Sequence, residues 1–246
     1  MNLLKKILYE LLDWVYPQKC VICSEILPLH EKEQMCKKCK ETIPWILPPV
    51  CQKCGRPLEE SYSLCERCQQ ESFAFEKGFA VFPYSKIRSS IAHFKFKGVK
   101  GDGIPLGNIM AQYLLEYHAE VVKEIDFIFP IPMFFKKKKA RGFNQAEILA
   151  QQLEKKINVP CVIDNLVRIK NTIPQSQLGA EQRKANIKDA FEIKDKKAIE
   201  DKTILLIDDI FTTGNTVNEC AKELMKWGTH KVYFYALAVV DKKEED

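Results

Sequence analysis

"ILLIDDIFTTGNT", residues 204–216, is the stretch whose reading decides the fold. Its four leading apolar residues, Ile204 to Ile207, read as a strand covered on both faces, as in the middle of a parallel sheet. Asp208 and Asp209 follow, then a short polar loop with one glycine. Adjacent carboxylates repel, and burying either costs free energy unless cations or hydrogen-bond donors compensate. In open α/β sheets, ligands sit beyond the carboxyl ends of the strands, so the acidic pair points to a ligand. The turn Thr212, Thr213, Gly214, Asn215, Thr216 runs straight into a helix, where backbone N–H groups and the helix dipole favour an anion. The threonines add hydroxyls, and Gly214 permits close approach. A loop suited to a phosphate monoester beside carboxylates suited to vicinal hydroxyls describes a site for ribose 5-phosphate. Rival motifs fail: there is no G-x-x-x-x-G-K-[ST], and no G-x-G-x-x-G after a strand. Receiver domains place their acidic pair near the start, whereas here only one strand remains. Capping a helix does not need both aspartates.

Outward from this stretch, strands and helices alternate. "KVYFYALAVV" is the last strand, after a helix from about Thr216 to Trp227 ended by Gly228. Upstream, "DFIFPIP" is a short strand, "RGFNQAEILAQQLEKKIN" is helical, and "VIDNLVRI" and "DAFEI" are strand candidates. Residues 104–123 read as one helix, Ile87 to Phe96 as another, and "FAVFPYS" as the first strand. The expectation is an α/β protein whose sheet is covered by helices. The composition agrees: 246 residues, 46% apolar and 29% charged, suit a packed core. A net charge of +5 is too weak by itself to specify a nucleic-acid partner.

Eight of the ten cysteines form four C-x-x-C knuckles: Cys20 and Cys23, Cys36 and Cys39, Cys51 and Cys54, Cys65 and Cys68. Two residues between thiolates let both sulfurs face one tetrahedral metal, so two knuckles close one four-cysteine site. Two structural zinc sites are expected. A disulfide framework would need an oxidising compartment, and no export signal is visible. Sequential pairing of the knuckles is the simplest, and interleaving stays open. Gly55 follows Cys54, whereas Ser24 follows Cys23, which suggests a looser first site. Trp45, in the bridging "PWILPPV", is expected between the ribbons, and Cys161 and Cys220 are expected in the core.

The opening "MNLLKKILYELLDWVYP" has Leu4, Leu8, Leu11, Leu12 and Val15 at helical spacing, interrupted by charges, so an amphipathic helix fits better than a signal peptide. No stretch has the roughly 18 unbroken apolar residues of a membrane span. The expected location is the cytoplasm.

These stretches together resemble the ComF family (ComFC/GntX-like), double-zinc-ribbon proteins with a type I phosphoribosyltransferase-like domain. Residues 204–216 are similar to the phosphoribosyl pyrophosphate (PRPP) signature of that domain. The ribbons with "PWILPPVCQKCG", and "FKFKG", "FPIP", "RGFNQA" and "RIKNTIPQSQLGAEQRKANIKDAF", extend the likeness to nearly the whole chain. After the amphipathic helix read over 1–17, the resemblance implies a double zinc ribbon over 18–72 and a phosphoribosyltransferase-like domain over 73–246. It implies that Asp208 and Asp209 hold the ribose hydroxyls, with Mg²⁺ accompanying PRPP. Thr212, Thr213, Gly214, Asn215 and Thr216 would bind the 5-phosphate, and Arg141 would serve a pyrophosphate loop. Arg168 to Asn186 would form a covering loop, with Arg168, Lys170, Gln175, Gln177 and Arg183 as its polar residues. No nucleophile is implied, because positioning and charge stabilisation suffice as pyrophosphate leaves.

Lys95, Lys97, Lys100, Lys136 to Lys139 and Arg141 are interleaved with Phe94, Phe96, Phe134, Phe135 and Phe143. Cations among aromatics suit single-stranded DNA, although the same phenylalanines would equally serve a core. With the resemblance to competence proteins, single-stranded DNA and the DNA-uptake machinery are the expected partners. An active phosphoribosyltransferase and a non-enzymatic zinc-ribbon adaptor are the alternatives.

Overall fold

The computed structural model describes residues 17–28, 34–59, 63–96, 103–172 and 180–240. Apart from Pro17, the helix expected over 1–17 lies outside them, as do Lys97, Lys100, Gln175 and Gln177. Of the side chains named above, those of Phe96 and Arg183 also lie outside the description.

The described strands are β1 (Lys77–Pro83), β2 (Phe127–Pro130), β3 (Leu166–Arg168), β4 (Phe191–Ile193), β5 (Thr203–Phe211) and β6 (Lys231–Val239). Four of them form a parallel sheet in the order β1-β6-β5-β2. β3 and β4, both expected as strands, pair antiparallel with each other, apart from that sheet.

Both faces of the sheet are covered, which explains the uninterrupted apolar run in β5. Leu205 and Ile207 enter one core with Tyr235 and Leu237, while Ile204 and Leu206 enter the other with Phe234 and Ala236. Each fully buried side chain of this size contributes roughly 1.5–3 kcal/mol of transfer free energy, so β5 and β6 anchor the domain.

The described helices are α1 (Lys37–Thr42), α2 (Glu66–Gln70), α3 (Tyr84–Phe96), α4 (Gly103–Tyr117), α5 (Ala119–Glu124), α6 (Phe135–Arg141), α7 (Gln145–Ile157), α8 (Ala180–Ile187) and α9 (Asn215–Lys226). The single helix expected over 141–158 is broken. Gly142 takes the left-handed conformation, φ 87°, and closes α6, while the Asn144 side chain accepts from the Ala146 N–H and starts α7. The helix expected over 104–123 is likewise split at His118, where the backbone leaves helical geometry.

The two ribbons repeat one another. Ser24 N–H donates to the Cys20 carbonyl, as Gly55 N–H does to Cys51, each at 2.8 Å. Ser24 adopts φ 64° where Gly55 has φ 71°, so serine makes the same turn at some backbone strain. The ribbons diverge in what they cover. Cys20, Ile22 and Cys39 pack into one core, and Cys51 and Cys54 into the other, on the opposite side of the sheet. Trp45 does not lie between the ribbons. Its ring packs 4.8 Å from Phe82 and 6.0 Å from Tyr113, against β1 and α4. Cys220 is buried as expected, and Cys161 partly so.

Candidate functional site

β5 carries the acidic pair past the point where β2 stops. β2 pairs with β5 as far as Pro130↔Ile207, whereas β6 continues to Phe211↔Val239. Asp208 and Asp209 are therefore still strand residues, but with a neighbour on one side only. On the open side lies a cleft of about 280 Å³, a volume for a small ligand rather than a polynucleotide.

Strand periodicity settles why two like charges stand together. Asp208 lies on the Ile204–Leu206 face and Asp209 on the opposite one, yet both line the cleft at the sheet's edge. Asp209 Oδ2 is 2.8 Å from Lys95 Nζ, near the end of α3. Asp208 Oδ1 accepts the Asp209 N–H at 2.8 Å. Burial pushes the Asp208 carboxyl up to about 8; the Asp209 charge adds to this and Lys95 opposes it.

The facing wall is cationic. Lys137 and Arg141 come from α6 and Arg168 from β3. Lys137 Nζ donates to the Thr172 carbonyl at 2.7 Å, and the Arg168 guanidinium donates to the Thr172 hydroxyl. Burial, then the charges of Arg168 and Arg141, hold Lys137 below the usual ammonium range. Arg141 donates to Gln145 Oε1 at 2.9 Å. Because a guanidinium only donates, the amide oxygen of Gln145 must face it and the NH₂ must face elsewhere. That NH₂ is buried without a protein partner, on a residue that lines the cleft and is 2% exposed. Asn144 fixes the segment after β2 by donating to the Ile131 carbonyl at 3.0 Å.

The loop after the aspartates borders this cleft. Gly214, at φ 77°, caps α9, and a Cβ there would meet the Phe211 ring at 2.8 Å. Thr213 is buried and its hydroxyl has no protein partner. Arg56, from the second ribbon and itself buried, donates to the Thr212 carbonyl at 2.9 Å. A zinc-ribbon side chain thus holds the loop from behind.

Of the residues expected at the site, Asp208, Asp209, Thr216, Arg141 and Arg168 line the cleft. Thr212, Thr213, Gly214 and Asn215 form the adjoining turn without lining it. Lys170 stands away, its ammonium on the Lys188 carbonyl at 2.9 Å. Lys137, Gln145 and Arg56 were not assigned to this site from the sequence. Lys95 was read there only as part of a basic stretch, although its place in "FKFKG" marked it. Arg56 gave no signal at all.

The cysteines assemble sequentially. Cys20, Cys23, Cys36 and Cys39 form one quartet and Cys51, Cys54, Cys65 and Cys68 the other, with the sulfurs of each within 4.8 Å. Bonding among the thiols drives them apart in acidity: Cys54 holds Cys51 far below the usual thiol range, and Cys51 drives Cys54 above it. A cation at the centre removes that conflict, and four converging sulfurs fit zinc with no open position, a structural role. The donor set at the acidic pair is different. Two carboxylates can hold Mg²⁺ when waters and substrate oxygens fill its shell, but here Asp209 is already paired with the Lys95 ammonium.

The aromatic–basic stretches separate in space. Phe94, Phe134 and Phe143 are buried, and Phe94 stacks on Phe143 at 5.7 Å. Among the described side chains of that set, Phe135 is the exposed ring, 63% accessible. The lysine run of α6 fans out: Lys137 to the cleft, Lys138 to Glu147 at 2.7 Å, Lys136 and Lys139 to solvent.

Residues 11–69 match a family model described as a double zinc ribbon domain, and residues 95–246 match one described as a phosphoribosyl transferase domain. The chain belongs to the phosphoribosyl transferase domain family. With the ribbon in front of it, this phosphoribosyltransferase-type chain has the ComF arrangement. It is 29% identical over 225 residues to competence protein F of Haemophilus influenzae, covering 89% of this chain and 96% of that one. It is 27% identical over 190 residues to DNA utilization protein YhgH of Escherichia coli, covering 76% and 83%. It is 26% identical over 208 residues to competence protein ComFC of Bacillus subtilis, covering 81% of each. Among the described residues, no helix is long and apolar enough to cross a membrane.

Proposed function

We propose that this protein binds PRPP or a ribose 5-phosphate in the cleft and serves DNA uptake in natural competence from the cytoplasmic side. The observation that carries the ligand is that the Asp208–Asp209 pair and the Lys137–Arg141–Arg168 wall line one small cavity, with Thr216 at its border where the glycine-capped turn enters α9. The carboxylates accept from a sugar diol, the turn and its threonine hydroxyls take the 5-phosphate, and the cationic wall takes pyrophosphate. If the sugar is transferred, departure of pyrophosphate needs charge stabilisation and exclusion of water, not a nucleophile.

The competence and DNA-utilization names of the relatives support the DNA role. On this surface it rests on Phe135 with Lys136, whose ammonium is 6.0 Å from the ring, and on Lys139. Among the described residues these are few contacts, so a weak affinity with a modest salt dependence is expected.

Calorimetric titration with PRPP tests the ligand. Binding by the wild type and its loss in Asp208→Asn/Asp209→Asn supports the reading; no heat and no thermal shift favours the adaptor alternative. Pyrophosphate release would promote the protein from binder to transferase.

A further inference from the structure

Resting on that reading of the cleft, we infer that its acidic pair is served by Lys95 instead of a divalent cation, so that a pyrophosphorylated sugar binds here without Mg²⁺. The Lys95–Asp209 ion pair is short, 2.8 Å, and its side chains are only 21% and 12% exposed. An ammonium has three donors, and Asp209 takes one. Two N–H groups remain on a side chain that lines the cleft together with both carboxylates.

The opposite wall completes the argument. Lys137 and Arg168 each give one hydrogen bond to a neutral oxygen of Thr172. Their positive charge is therefore available to a ligand. The Gln145 NH₂, turned from Arg141, is a buried donor with no protein partner, on a residue that lines the same cavity. A ligand with several phosphate oxygens meets donors on both sides and needs no metal to neutralise it. Asp209 is likewise neutralised within the chain. A divalent ion would have to displace Lys95 from a largely desolvated contact to reach Asp209.

The test is titration of the full-length protein with PRPP, once in buffer passed over a chelating resin and once with millimolar MgCl₂. EDTA is avoided because it strips thiolate-bound zinc. The wild type should bind in both media, with affinities within about threefold. Lys95→Met should lose at least about tenfold in the metal-free medium and recover part of it with Mg²⁺. Lys95→Arg, which keeps the charge, should stay near the wild type in both. Thermal melts of the three proteins establish that each is folded. Wild-type binding that appears only with Mg²⁺ overturns the role of Lys95 and leaves the ligand standing. Lys95→Met binding like the wild type in metal-free buffer does the same. No binding in either medium overturns the ligand itself.

Discussion

Asp208→Asn should make the unliganded protein more stable at neutral and alkaline pH. The asparagine keeps the shape and still offers an oxygen to the Asp209 N–H, but it carries no charge to desolvate. Burial, then Asp209, raises the Asp208 carboxyl from 3.8 to about 8. A carboxyl raised on folding favours the native state only while both states are protonated. Its contribution is intact below about pH 4 and is lost as pH climbs toward 8, because the unfolded chain ionises first. The full shift sets a ceiling of several kcal/mol at about 1.4 kcal/mol per unit. Asp208 keeps some solvent contact, and screening reduces the expected gain to roughly 2 kcal/mol. For a chain of this length that is roughly 4–8 °C in Tm at pH 8. Melting curves of both proteins between pH 5.5 and 8.5, in steps of half a unit and with zinc present, read the effect. The offset should widen with pH and close toward the acid end. A variant that melts with or below the wild type at pH 8, or an offset flat with pH, refutes the assignment of strain to Asp208. The same substitution should weaken the proposed PRPP binding, which would place stability cost and ligand affinity on one side chain.

Metal analysis of protein purified without added metal should find two zinc per chain, and Cys65→Ser, which opens one quartet, should lower this to one. A single zinc in the wild type would count against the second closed site. Gly214→Ala should destabilise by roughly 1–3 kcal/mol, since φ 77° and the Phe211 ring at 2.8 Å both resist a Cβ. Its PRPP affinity should fall with it, and an unaffected affinity would mean the phosphate does not use this turn.

Much of the architecture was legible in the sequence because its signals are local. The apolar run of β5 is written in consecutive residues, and the C-x-x-C spacing specifies a tetrahedral site wherever the chain goes. The breaks at Gly142 and His118 were harder. Gly142 closes α6 by a left-handed turn that an amphipathic pattern spanning it conceals, and His118 leaves helical geometry with its ring packed on Phe79 and Tyr113. Within the site, the residues adjoining the signature could be read directly. Lys95, Lys137 and Gln145 could not, because each reaches the cleft through the packing of a separate helix. Trp45 illustrates the same limit: its place in the bridging segment suggested packing between the ribbons, but the fold gives it Phe82 and Tyr113 as partners.

Arg56 lies two residues beyond Cys54 and holds the carbonyl of Thr212. The turn that closes a thiolate cage and the turn that opens α9 are thus joined by a single buried guanidinium. Thermodynamic reciprocity gives this joint a direction in each sense. If the loop takes phosphate as proposed, a ribbon closed on zinc should raise its affinity for phosphate, and phosphate in the loop should raise the affinity for zinc by the same factor. Starving the protein of zinc should then weaken the proposed binding of a sugar phosphate.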